Sequence, residues 1–453
     1  MRITPVNMYF IGVVVNLLYI TILLCNPTSS ANLQLPEGRY SENLWKQTDV
    51  LTYVYPARNF LHNGTIGYGS LPDYHRTTGY PLFLAGSIKL FGVYSLPVIF
   101  FLQALIFAGI YPALARIAAI LFKDGQYSLM VPPFLFLLMF GTYIAMVPVV
   151  LTDLFFTAVF TFGLWCGLEA VLRKDWKYLL LHILLIGYAA QVRPLLSLYP
   201  LINLLLLMAV AKEHLTFRTT KIQLFLAVAT VSLLVLCNAP SIRNYLNHGI
   251  VEPTDIVANN MFYYLAKDAL TRNGEQSTYQ LMKHRVDSVT VVPERVNLKE
   301  KLAITVFKKY PLTTLTQIFY NAASNLFEPH WLLTAGFFGL HYSDIKNGQH
   351  MPLRRSNLVL AIFGINVLLN IVVWIIFSFS LVYWLQSDRR LIIMPIIILI
   401  FYFLIPTFMA GQGGRMRLPA EGLIVLCSFY YLRRNLIAKN AGWCKNKEGQ
   451  LFT

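Results

Sequence analysis

An all-α polytopic membrane fold is what this 453-residue sequence predicts, and three observations carry the prediction. Apolar residues (AVILMFWYC) make up 56% of the chain and charged residues 13%, against about 25% charged in an ordinary soluble domain. The apolar residues come in long blocks rather than in a stripe of helical period. The short connections between those blocks are rich in lysine and arginine.

The blocks lie near 6–25, 95–121, 128–149, 152–172, 177–191, 195–211, 222–239, 357–385, 391–410 and 416–432. A helix needs roughly 20 apolar residues to cross a bilayer core, and most of these blocks reach that length. Residues 177–191 are short for it, and 80–93 reads as a further re-entrant or interfacial stretch. The expectation is therefore about 10–11 transmembrane helices. Arg2 ahead of the first block resembles the start of a signal peptide, but no small-x-small cleavage site precedes Pro27. The first block is read as a retained anchor.

Lysine and arginine in short loops set orientation. With the N-terminus inside, KDGQ (123–126), RKDWK (173–177), KEHLTFRTTK (212–221), SDRR (387–390) and the tail from Arg433 all face the cytoplasm. The reverse orientation places every one of these clusters outside, so both termini are assigned inside. The chain then divides into a membrane module at 1–239 with a first outer loop at 26–79, an extracytoplasmic helical lobe at 240–356, and a second membrane module with its tail at 357–453. In the first loop, 43–62 mixes aromatic, apolar and charged residues as helices of the membrane interface do, with Pro56 expected to bend or interrupt it. In the lobe, 293–309 is the clearest helix, with Pro293 near its start and Pro311 just after it.

The net charge of +16 comes with no basic stripe or recognition motif, so nucleic acid is excluded as a partner and anionic lipid is the natural counterpart. Five cysteines form no CxxC pair and no disulfide framework. What stands out is a set of polar residues at the outer ends of the spans. These are Asp49, Asp153, Arg193, Arg243 with Asn244, and Arg415 with Arg417 after the glycine-rich GQGG turn. A charge at membrane depth costs about 2.5–3.5 kcal/mol on insertion scales, so several at one depth point to a site holding an anion near an acid. Each has a structural alternative: Arg193 can snorkel to headgroups, and Asp153 can favour a helix N-terminus.

These residues fall within stretches that resemble a known family. TDVLTYVYPARNFLHNGTIGYG followed by HRTTGYPLFLAGSIKLFG is similar to the first outer loop of the GT-C superfamily, the multi-pass bacterial glycosyltransferases that use polyprenyl-phosphate sugars. Protein mannosyltransferases and aminoarabinose transferases belong to it. The carrying residues are Asp49, Tyr53, Ala57, Gly64, Arg76 and Gly79-Tyr80-Pro81, and then LTDLFF, QVRP, PSIRNYLNHGIVEPTD and RMRLPAEGL in family order. Two features depart from the pattern. Asp49 is followed by Val50 where many relatives carry an acidic pair, and the lobe lies between spans rather than at the C-terminus.

The resemblance implies an inverting sugar transfer from a polyprenyl-phosphate donor to an acceptor hydroxyl on an envelope glycan, a lipid or a protein. In that scheme Asp49 is the base, and Arg193, Arg415, Arg417 and Arg243 bind the donor phosphate. Tyr53, Arg76, Tyr80, Asp153 and Asn244 support them, and a divalent metal ion is compatible with Asp49 or Asp153. Two other readings stay open: an O-antigen polymerase or ligase using pyrophosphate-linked glycans, and a transporter or flippase.

Overall fold

The computed structural model describes residues 4–25, 48–68, 71–72, 74–92, 95–122, 131–139, 142–147, 150–214, 220–327, 353–387, 389–409 and 417–450. Among them the chain is helical apart from connecting turns and one two-residue antiparallel pairing, Gly67–Tyr68 with Leu71–Pro72. Among the described residues five helices are long and apolar enough to cross a membrane: Ser95–Phe122, Thr152–Arg173, Thr220–His248, Gly364–Gln386 and Arg390–Met409. Pro5–Thr21 and Trp176–Val192 are shorter apolar helices. The surface of this bundle is apolar, with Phe10, Leu180, Val231 and Leu368 all exposed. Such a surface calls for lipid rather than water as its solvent.

Within the block at 128–149 the structure describes residues 131–139 and 142–147. Its described residues make a nine-residue helix, Val131–Met139, and a five-residue one, Thr142–Met146. Pro132 and Pro133 lack amide donors, which suits only a helix start. The stretch at 80–93 forms Gly79–Phe91, a 13-residue helix. At 1.5 Å per residue it reaches roughly 20 Å, short of the roughly 30 Å bilayer core. Pro56 does not interrupt Thr48–Asn63, which runs through it as one helix. Proline there removes the bond to the carbonyl four residues back and crowds that carbonyl, and the buried face of the helix holds it in place nonetheless.

The helices share two recognisable ends. Pro5–Cys25 runs antiparallel to Ser95–Phe122, with Asn16 Nδ2 donating to the Ala104 carbonyl at 3.0 Å and Gly12 against Tyr111. At the far end Phe122 stacks on Tyr430 at 3.8 Å and meets Trp384, and Arg389 donates to the Leu121 carbonyl. Glu169 is buried near the same end. It accepts from Arg116 Nε at 3.2 Å, Arg173 Nε at 2.7 Å and Trp165 Nε1 at 3.2 Å. Arg116 and Glu169 sit inside apolar runs, and their pairing joins two spans.

The opposite end carries the lobe. Thr220–His248 leaves the bundle through Pro240, and a set of helices follows: Ile256–Asn259, a π-helical turn at Asn260–Ala266, Lys267–Arg272, Gln276–Asp287, Val292–Lys309 and Pro311–Phe327. Val292–Lys309 begins with proline in its first turn and meets the expected 293–309 closely. Phe262, Ala266, Leu270, Tyr279, Val286 and Val306 form the lobe's own small core.

Candidate functional site

Thr48–Asn63 buries Val50, Tyr53, Val54 and Ala57, a spacing of three and four that lays one face on the bundle. Tyr53 reaches its neighbours through both ring and hydroxyl. The hydroxyl lies 3.2 Å from Thr152 Oγ1, and the ring meets Tyr80 edge-on at 5.5 Å. The Arg76 guanidinium stands 4.5 Å above the Tyr53 ring, and its Nε donates to Thr52 Oγ1 at 2.9 Å. A cation over an aromatic face gains about 0.5–2 kcal/mol as it loses water. Asp49 lies in the first turn of this helix, one turn before Tyr53.

Arg76 and Tyr80 are held by the turn between them. Thr77 Oγ1 donates to the Val192 carbonyl at 2.9 Å, and Tyr188 donates to the Gly79 carbonyl at 3.0 Å. Gly79 touches the backbone of Gln191 and Val192 so closely that a Cβ there falls 2.7 Å from the Gln191 carbonyl oxygen. Only glycine fits. Tyr80 donates to Gln103 Oε1 at 2.9 Å, and Gln103 donates onward to the Val147 carbonyl. The GYP and QVRP segments, more than 100 residues apart in sequence, thus share one surface.

Arg193 caps the end of Trp176–Val192 and Asp153 opens Thr152–Arg173. Arg193 Nη1 lies 2.6 Å from Asp153 Oδ1, with the aspartate at 0% exposure and the arginine at 15%. Arg243 approaches from the end of Thr220–His248. Its Nε and Nη2 donate to Asn244 Oδ1 at 3.1 and 2.7 Å, and its Nη2 also reaches the Arg76 carbonyl at 3.2 Å. The Asn244 amide donates to the carbonyls of Glu252 and Pro253, which fixes Arg243 against the start of the lobe.

The lobe in turn clasps the first loop. His75 Nδ1 meets Asp255 Oδ1 at 2.5 Å, and Lys299 Nζ reaches Asp255 Oδ2 at 3.2 Å and Asn259 Oδ1 at 2.6 Å. Tyr74 accepts a hydrogen bond from Arg295 and packs edge-on against His248. Burial works to raise the Asp255 carboxyl, but the hydrogen bond from His75 and the charges of His75 and Lys299 hold it below the usual carboxylate range.

Tyr53, Arg76, Tyr80, Asp153, Arg193, Arg243 and Asn244 therefore form one contiguous layer at the lobe end. Arg417 stands in a different set of contacts. Its guanidinium, 2% exposed, donates from Nη1 to the Asn325 and Leu326 carbonyls at 3.3 and 3.0 Å and from Nε to Glu421 at 3.4 Å. It clamps the C-terminus of Pro311–Phe327, where cations are favoured. Arg415 lies outside the described residues. Sequence reading passed over Thr52, Thr152, His75, Asp255 and Lys299. Thr52, His75, Thr152 and Asp255 all lie within the quoted motif stretches without having been singled out, while Lys299 lies outside them.

Asp153 is engaged by Arg193, and among the described residues no three His, Cys, Asp or Glu gather to hold a metal ion. No family model matches the chain, and a search of curated proteins finds no match.

Proposed function

We propose that this protein is a membrane glycosyltransferase of the GT-C kind. It moves a sugar from a polyprenyl-phosphate donor to an acceptor hydroxyl on an envelope glycan, lipid or protein. In this reading it lies in a bacterial cytoplasmic membrane with about ten crossings, both termini inside and the lobe end outside. The observation that carries the reading is the convergence of the quoted motif segments into one layer that holds Arg76, Arg193 and Arg243 beside Asp153. A cluster of guanidinium groups at the end of apolar helices suits an anion carried on a lipid, because planar guanidinium matches phosphate oxygens bidentately.

The chemistry follows from the charges. Asp49 accepts the proton of the acceptor hydroxyl as that oxygen bonds to the anomeric carbon. The bond from that carbon to the phosphate oxygen breaks, and its electron pair leaves with the lipid phosphate. The arginines stabilise the charge so released, where low dielectric makes each contact count for more. Attack opposite the leaving phosphate inverts the anomeric configuration. Donor-phosphate binding is assigned to Arg193, Arg243 and Arg76, with Arg417 holding the layer's neighbouring helix and Arg415 retained from the family pattern.

The test is purified Asp49→Asn assayed with a polyprenyl-phosphate hexose. Turnover is expected to fall by about 10²–10⁴-fold, the usual worth of a general base, while carrier binding persists. Undiminished turnover removes Asp49 from the role. A preference for pyrophosphate-linked glycan in the wild type replaces this reading with the polymerase or ligase one.

A further inference from the structure

Asp255 stands at the N-cap of Ile256–Asn259, a position where aspartate usually accepts from the free amides of the first turn. Its side chain makes no such bond. Both carboxylate oxygens are engaged elsewhere, Oδ1 with His75 Nδ1 at 2.5 Å and Oδ2 with Lys299 Nζ at 3.2 Å. Lys299 Nζ also donates to Asn259 Oδ1 at 2.6 Å, and Asn259 Nδ2 lies 3.2 Å from His75 Nδ1. Asp255 and Lys299 are 3% and 4% exposed. Buried charges are poor glue, because apolar side chains of the same volume often hold as well. Such a set can instead specify one arrangement over others.

The contacts around Asp255 close into a ring. His75 is joined to Arg76 by the chain, and the Arg76 carbonyl accepts from Arg243 Nη2 at 3.2 Å. Arg243 Nε and Nη2 donate to Asn244 Oδ1. Asn244 Nδ2 donates in turn to the carbonyls of Glu252 and Pro253 at 3.1 and 2.8 Å, and from Pro253 the chain leads straight back to Asp255. Tyr74 packs the same corner against Ile250, Ala258 and Val296. The ring thus ties the first loop, the end of Thr220–His248 and the start of the lobe. Two of its members, Arg76 and Arg243, are arginines to which the donor phosphate is assigned. How the lobe is seated therefore sets where these two stand.

We propose that Asp255 is a positioning residue, which through His75 and Lys299 docks the lobe so that Arg76 and Arg243 stand at the spacing a lipid-borne phosphate requires. Asp255 does not touch the donor and acts through the two arginines. The lobe is by this means part of the donor site rather than an appendage to the bundle. The proposal rests on the donor-phosphate binding in the glycosyl-transfer reading and names the element that sets donor affinity.

The experiment measures binding of farnesyl phosphate to the full-length protein in nanodiscs, beside sugar transfer from farnesyl-phosphate hexose. Asp255→Asn is expected to weaken farnesyl-phosphate binding about tenfold and to raise the donor KM by a similar factor, with the acceptor KM unchanged. Val286→Ala opens a cavity in the lobe's own core, away from the ring. It is expected to lower Tm at least as far and to leave farnesyl-phosphate affinity at the wild-type value. In an Arg243→Ala background, Asp255→Asn is expected to cost less than about threefold more, because a residue acting through an arginine loses its effect along with it. Lys299→Met gives the same readout where Asp255→Asn does not fold.

Wild-type affinity in the folded variants overturns the positioning role and leaves glycosyl transfer standing. A full tenfold effect in the Arg243→Ala background also overturns it, as does an equal loss of affinity in Val286→Ala, which makes lobe stability the cause. Binding that Asp255→Asn weakens, in a wild type that transfers no sugar, removes the glycosyl-transfer reading and keeps the positioning. Wild type that does not bind farnesyl phosphate removes both.

Discussion

Glu169 at the far end of the bundle and Asp153 at the lobe end are both acids shut inside apolar helices, 2% and 0% exposed, yet their surroundings differ. Glu169 is gripped by Arg116, Arg173 and Trp165, which tie Ser95–Phe122 to Thr152–Arg173. Asp153 meets Arg193 at 2.6 Å in a layer that also holds its neighbour Thr152 together with Tyr53, Arg76 and Arg243, which three further chain segments deliver. The first arrangement joins two helices and uses charge as mortar. The second brings arginines from distant segments beside one acid, and in the proposed glycosyl transfer this is where the donor phosphate is held. The same residue types therefore carry different meanings at the two ends.

The strongest way to break this contrast is to remove each acid in turn. Glu169→Leu strands two guanidinium groups and is expected to lower unfolding free energy by about 3 kcal/mol, the low end for a broken buried pair because Arg173 is half exposed. Its turnover per folded molecule stays near wild type. Asp153→Asn is expected to do the reverse, with turnover falling at least about tenfold and Tm moving less than in Glu169→Leu. Should Glu169→Leu abolish transfer while keeping its Tm, the assignment of roles to the two ends is wrong.

Gly79→Ala comes next in size. Its Cβ meets backbone rather than a movable side chain, so overpacking of about 1–3 kcal/mol is expected, read by denaturant unfolding in detergent. Smaller still is Tyr53→Phe, which removes one hydroxyl contact with Thr152 and is expected to cost about 1 kcal/mol. Asp255 sharpens the picture through pH. Its folded-state pKa is depressed, so its contribution to lobe docking is complete above the ordinary carboxylate value of about 3.9 and is lost as pH falls through the folded value. Hydrogen exchange in the 74–78 turn should accelerate only below about pH 4, and Asp255→Asn should remove that acid-dependent step. The smallest effect belongs to the exposed Lys309–Glu275 contact, where Lys309→Ala should leave Tm within measurement error.

Much of the fold was legible because apolar blocks and proline punctuation are local signals. Val292–Lys309 follows its prolines, and Thr152–Arg173 follows its block. In the block at 128–149 the prolines are again local punctuation, since Pro132 and Pro133 stand in the first turn of Val131–Met139. Within the candidate site, the motif residues Tyr53, Arg76, Tyr80, Asp153, Arg193, Arg243 and Asn244 were all visible one by one, and the structure brings them together. Arg417 was visible too, but its burial against Asn325 and Leu326 depends on a helix some 90 residues earlier. Thr52 and Thr152 were silent, since a threonine in an apolar helix is ordinary until a partner faces it.

By itself the sequence determined that this chain forms long apolar helices and that its charges are rationed to their ends, because each charge left in hydrocarbon costs free energy wherever the helix packs. It also set the positions of Gly79 and the prolines, whose backbone limits are intrinsic. Only the tertiary structure decided which ends meet. The Asp153–Arg193 pair, the clasp of Asp255 on His75 and the seating of Arg417 against Asn325 and Leu326 are each made by segments brought together through packing. Partnership of that kind is a property of distance, and no single segment encodes it.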